Sequence, residues 1–312
     1  MERPNYTSVT EFIFLSFAKC TRFPVLIALV LFLLYLLIVC VNILMILVIK
    51  FDTRLHTPMY FFVFILACLD ICYTTTIIPQ VLYNLLGSRP SIIFANCATQ
   101  MFCSVIFGAM QILIITAMAY DRYVAISNPL RYKTVMNWAA CTMLLFTAFI
   151  LGFCIGVIVV YAVFKLPFCR APEITHFYCA VGEVLLLTCI DVPGHRAAEV
   201  TTYLIGLGLF TIPFLFMMTS YMYIINAILK IRTTEGRQKA FSTCSSHITV
   251  VVVEYGCLGF IYFRPSTEDS LDKEKIFVMI FTYLSPILNP VIYSIRNNAV
   301  KEGFKKLKTK II

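Results

Sequence analysis

Long apolar stretches separated by short polar ones organise this chain. Val25–Ile49, Met59–Leu86, Met101–Tyr120, Ala139–Phe164 and Val200–Leu229 are each apolar enough to cross a bilayer, which takes roughly 20 residues as a helix. Ile248–Phe263 is shorter and extends backwards through the small and polar residues of "KAFSTCSSH"; Ile276–Ile295 is the seventh. The pattern predicts seven spanning helices, because a helix satisfies its own backbone groups in lipid and a lone strand does not. The alternating runs of about 10 residues that build a membrane barrel are not visible.

Composition fits that pattern. Of 312 residues, 60% are hydrophobic and 13% charged, with a mean hydropathy of +0.88. A soluble domain of this length cannot hide so much apolar surface. We read one domain, 1–312: an extracellular segment 1–24, seven spans and their loops over 25–295, and a cytoplasmic tail 296–312. The opening "MERPNYTSVTEFIFLSFAKC" is mixed and polar, so no cleavable signal peptide is expected.

Charge sets the orientation. One side of the predicted spans carries 15 Lys and Arg against four acids; the other carries 10 of each. The basic side is cytoplasmic by the positive-inside rule, which puts the N-terminus outside. Asn5-Tyr6-Thr7, a glycosylation acceptor, then lies on the outer side. So do Cys97, Cys169, Cys179 and Cys189, where an oxidising compartment favours two disulfides in one of three pairings. The cysteines within the spans read as small apolar fillers.

Polar residues inside the spans are expensive and therefore informative. Asp70 has Asn42, Gln111 and Asn289 as polar neighbours in other spans. It fits either a protonated acid in a hydrogen-bonded core or a sodium site, since a hard cation takes oxygen ligands. Glu254, inside "TVVVVEYGCLGF", fits either a neutral structural group or an anchor for a polar or cationic ligand. Pro290 frees a backbone carbonyl, which Asn289 is placed to satisfy. His176 and Cys179 give H-x-x-C, a weak metal pair because a disulfide would remove the thiolate; no metal site is expected. His56 and His247 read as conformational contacts. In the tail, Val300, Phe304 and Leu307 oppose a basic face, the pattern of an amphipathic helix drawn to anionic lipid.

"MAYDRYVAI" (Met118–Ile126) places an adjacent acid and base at the cytoplasmic end of the third span. With it stand "LHTPMYFF" (Leu55–Phe62), "MAYDRYVAISNPLRY" (Met118–Tyr132), Ser220-Tyr221, "KAFSTCSSH" (Lys239–His247) and "PILNPVIYSIRN" (Pro286–Asn297). In this order, over about residues 42–300, they resemble the odorant receptor family of rhodopsin-like G-protein-coupled receptors. Four positions depart from that pattern: Gln111 for Glu, Glu254 for an aromatic residue, Phe149 for Trp and Val41 for Gly.

The resemblance implies a seven-helix bundle, all-α, and no enzymatic role. It implies a switch in which Asp121 holds Arg122 inward at rest, with Asn289-Pro290 as a hinge, Tyr221 and Tyr293 moving toward the opened cytoplasmic core, and Tyr123 and His247 in the same set. It implies a mainly apolar ligand site. That site draws on Ser104, Val105, Gly108, Ala109 and Ile112 of the third helix and on Ile205, Gly206 and Leu209 of the fifth. The sixth adds Glu254, Tyr255, Leu258, Gly259 and Tyr262, and the seventh Met279, Thr282 and Tyr283. The small residues of the third helix also suit plain close packing. The implied disulfide is Cys97–Cys179, leaving Cys169–Cys189 as the other pair. The implied partners are a small odorant, a stimulatory olfactory-type heterotrimeric G protein and membrane lipid at the plasma membrane. A receptor of this fold for a non-odorant metabolite or amine is the alternative. A transporter would show repeated halves and broken helices at matched positions, and neither is visible.

Overall fold

The computed structural model describes residues 9–15, 23–87, 89–230, 233–263, 268–296 and 298–311. The chain is a seven-transmembrane helix bundle with a short C-terminal helix. The spans are α1 (Pro24–Phe51), α2 (Pro58–Leu86), α3 (Phe94–Ser127), α4 (Trp138–Phe164), α5 (Pro193–Leu229), α6 (Thr234–Phe263) and α7 (Glu268–Arg296); α8 is Asn298–Ile311. Six of them contain windows long and apolar enough to cross a membrane, and α6 contributes the shorter apolar run His247–Gly259. Several helices outrun the apolar stretches that predicted them. α3 starts at Phe94 rather than Met101 and ends at Ser127 rather than Tyr120, because polar residues outside the lipid-crossing stretch keep their helical hydrogen bonds.

The chain divides into two compact units. One holds the described residues of Met1–Leu36, Cys72–Gly108 and Ile150–Gly208. It contains a sheet that the hydropathy pattern did not predict. β1 (Glu11–Phe14) lies between β2 (Ser91–Ile93), to which it is antiparallel, and β3 (Glu173–Ile174), to which it is parallel. Alternation explains it: Phe12 and Phe14 face inward and are fully buried, while Glu11 and Ile13 are half-buried. The structure joins Cys97 to Cys179, with Cα atoms 5.6 Å apart, and Cys169 to Cys189, 4.9 Å apart. Asn5 lies outside the described residues.

The other unit holds the described residues of Leu37–Ile71, Ala109–Phe149 and Leu209–Ile312. Here α8 forms as expected; of its apolar face, Val300 and Leu307 are buried in protein and Phe304 is half-buried. A Cβ on Gly303 would meet the Val48 side chain at 2.8 Å, so glycine permits the close approach of α8 to the end of α1. Arg54 holds the contact electrostatically, with Nη1 2.6 Å from Glu302 and Nη2 2.6 Å from Asp52. The hydrogen-bonded Arg54 guanidinium pulls the Asp52 carboxyl down to about 2, and its own proton is held more tightly in turn.

Candidate functional site

The acid–base pair at the end of α3 is not solvated. Asp121 is fully buried and the Arg122 side chain is only 15% exposed. Adjacent helix positions point in different directions, so the long Arg122 stem folds back. Its Nε and Nη2 donate to Asp121 Oδ2 at 3.0 and 2.5 Å. The other carboxylate oxygen, Oδ1, accepts the Tyr132 hydroxyl at 2.7 Å. Pro129 disfavours helix at the residue before it, and the chain turns through Pro129–Arg131 into the one-turn helix Tyr132–Val135. That reversal delivers Tyr132 to Asp121. Burial, and then the Asp121 charge, push the Tyr132 hydroxyl above its usual range. Three hydrogen bonds to an ionised acceptor, each stronger than a neutral one, offset the cost of burying it. Sequence reasoning missed Tyr132; the signal was its place in "SNPLRY", just past a proline-marked turn.

A second polar contact lies in the same unit. The Tyr221 hydroxyl is hydrogen-bonded to His247 Nδ1, and His247 Nε2 lies 3.1 Å from the Ile115 carbonyl. A carbonyl only accepts, so Nε2 carries the proton and Nδ1 accepts from the phenol. α3, α5 and α6 are tied through one imidazole that is wholly buried. Close by in sequence, Tyr123 packs on Tyr223 with ring centroids 5.9 Å apart.

The polar core is built around Asp70. Gln111 Nε2 donates to its Oδ1 at 2.7 Å and Asn289 Nδ2 to its Oδ2 at 3.1 Å. Asn42 takes another role. Its Nδ2 donates to the Pro286 carbonyl at 2.9 Å, which is the acceptor that Pro290 leaves free one turn later. The expectation that Asn289 satisfies this carbonyl is therefore corrected: Asn289 is spent on Asp70, and Asn42 on α1 satisfies α7. Asn42, Asp70, Asn289, Pro290 and Tyr293 line a crevice too narrow to admit a water-sized sphere. Tyr293 is buried, and its hydroxyl has no hydrogen-bond partner among the described residues. Glu254 is buried and accepts a hydrogen bond from Ser285 Oγ, a partner on α7 that sequence reasoning did not name.

The residues assigned to ligand are distributed over both units. In the first, Ser104, Val105, Gly108 and Ile205 are partly exposed and Gly206 is buried. Ser104 Oγ is turned back to the Met101 carbonyl at 3.0 Å. In the second, Ala109, Glu254, Tyr255, Thr282 and Tyr283 are buried. Ile112, Leu209, Leu258 and Gly259 are partly exposed, and Met279 is exposed. Tyr255 packs against Phe210 and Phe214 of α5, both at 5.4 Å between centroids. The Thr282 and Tyr283 hydroxyls are buried without partners among the described residues. The Tyr262 side chain lies outside the described residues. His176 and Cys179 form no thiolate pair, because the Cys179 sulfur is bonded to Cys97.

Comparison with known proteins gives a consistent picture. The family model described as olfactory receptor matches residues 31–310. Human olfactory receptor 10Q1 is 43% identical over 302 residues, covering 96% of this chain and 94% of the relative. Human olfactory receptor 10R2 is 41% identical over 303 residues, 97% of this chain and 90% of the relative. Human olfactory receptor 10Z1 is 39% identical over 305 residues, 98% and 96% of the two chains.

Proposed function

Because the chain belongs to the olfactory receptor family, one of G-protein-coupled receptors and not of enzymes, we propose that it detects a small, mainly apolar odorant. The ligand is held by the residues assigned above on α3, α5, α6 and α7, and it activates a stimulatory heterotrimeric G protein that raises cyclic AMP. In this reading the protein works in the plasma membrane; the excess of bases on the Arg122 side supports an N-terminus outside. The single observation that carries the mechanism is the closed Asp121–Arg122–Tyr132 cluster. It is the resting half of a two-state switch: ligand favours a state in which Arg122 leaves Asp121 and meets the G protein. Coupling is reciprocal, so bound G protein tightens odorant binding.

A sodium ion at Asp70 belongs to the same proposal. Gln111 Oε1 and Asn42 Oδ1 are buried acceptors without hydrogen-bond partners among the described residues, the oxygen chemistry a hard cation takes. Replacing sodium by choline in the assay buffer shifts odorant potency if the ion binds.

The deciding experiment is an odorant panel read by cyclic AMP in cells expressing the full chain. A surface-expressed receptor silent to the whole panel, yet responsive to amines or metabolites, overturns the odorant reading.

A further inference from the structure

We propose that β1 is a fixed clasp on the loop between α4 and α5, with Phe12 and Phe14 as positioning residues for the ligand response. The inference rests on the receptor reading above. A four-residue strand holds two connections that are distant in the chain. On one edge Glu11, Phe12 and Ile13 pair with Ile93, Ile92 and Ser91; on the other, Ile13 and Phe14 pair with Glu173 and Ile174. Successive amides alternate between the two. Ile13 N donates to the Pro172 carbonyl at 2.8 Å, Phe14 N to Pro90 at 2.9 Å, and Leu15 N to Ile174 at 2.9 Å.

The side chains close the same contact. Phe12 is fully buried, its ring 5.5 Å from Phe168 and 6.0 Å from Phe94. Phe14 is fully buried as well. Glu11 pairs with Arg89 at 2.9 Å. The loop is also pinned by its two disulfides and by Gln100, which accepts the Cys179 amide at 3.0 Å and donates to the Thr76 carbonyl at 3.1 Å. A lid that swings on each binding event is held by few and exposed contacts; this strand is held by paired backbone and buried rings. Without β1, Glu173–Ile174 loses its strand partner and Phe168 loses the Phe12 ring, so the loop leaves its position although both disulfides remain.

The test uses full-length receptor, with surface labelling in cells and hydrogen exchange on purified protein. In the unsubstituted protein the Ile13, Phe14 and Leu15 amides should exchange at least about a hundredfold more slowly than an unstructured segment. Phe12→Ser should raise the odorant concentration for half-response about tenfold or more per surface receptor, while Phe12→Leu, which keeps an apolar plug, should stay within about threefold. Unprotected amides, or Phe12→Ser at full potency, would overturn the clasp. If Phe12→Ser fails to reach the surface, the charge swap Glu11→Arg with Arg89→Glu decides. Each single change should speed exchange at Phe14 and the pair should restore protection; no restoration counts against the clasp. A receptor silent to every odorant tells against the receptor reading alone, since hydrogen exchange still measures the strand.

Discussion

The region around β1 and the region around Asp121 are both tightly held, but by different chemistry. The first is fixed by two disulfides, a paired strand and buried phenylalanines. The second is held by hydrogen bonds to charged and polar groups, among them Arg122 and Tyr132 on Asp121, and Tyr221 on His247. Such groups can trade a partner inside the protein for one outside it at small net cost. The comparison teaches where a two-state equilibrium is affordable: at the polar cluster and not at the clasped loop.

Several experiments press on that contrast. The largest effect is expected from Arg122→Ala, which should keep surface expression and abolish odorant-driven cyclic AMP; a normal response would remove the switch. Cys97→Ser should act differently, through folding. Loss of a native disulfide costs roughly 2–5 kcal/mol, so surface labelling should fall sharply, and an unchanged level would show that the clasp needs no covalent support. Tyr132→Phe deletes one hydrogen bond to a charged acceptor, worth about 1.5–3 kcal/mol. Basal cyclic AMP per surface receptor should rise on the order of tenfold, and a flat baseline would make the phenol a bystander.

Smaller effects are expected where a contact only supports packing. Glu254→Gln keeps the Ser285 hydrogen bond and removes only the acid, so potency should change by less than about tenfold, or 1.4 kcal/mol. Selective loss of amine responses would instead make Glu254 a ligand anchor. Arg54→Ala should be the mildest. Its arm to α8, the Arg54–Glu302 pair, is exposed and such pairs contribute little, so exchange of the α8 amides should quicken by less than about fivefold. Acid acts on the same contact with a definite sign: Asp52 is depressed from 3.8 to about 2, so its contribution is complete above 3.8 and is lost as pH falls towards 2.

Much of the site was legible in one dimension because its parts are local motifs. "MAYDRYVAI" carries the acid and the base side by side, and "PILNPVIY" carries Asn289, Pro290 and Tyr293 within one stretch of helix. Apart from Tyr132, 11 positions from Asp121, what escaped notice joins residues far apart in the chain. Asn42 reaches the Pro286 carbonyl across 244 positions, Gln100 meets Cys179 across 79, and Ser285 meets Glu254 across 31. A polar residue in a span announces that it needs a partner and does not say which.

By itself, then, the sequence determined the spans and the helical class, because lipid imposes a length and a backbone rule that hydropathy reports directly. It also determined the presence of the charged pair at the end of α3 and of buried acids at 70 and 254. Only the tertiary structure decided the partners. It chose Gln111 and Asn289 from the three candidates for Asp70 and sent Asn42 to α7, brought Tyr132 back to Asp121, buried Val300 and Leu307 of α8 in protein, and turned a mixed N-terminal segment into the central strand of a sheet. These outcomes depend on directional hydrogen bonds and on close packing between distant segments, which a linear pattern of apolar and polar positions does not encode.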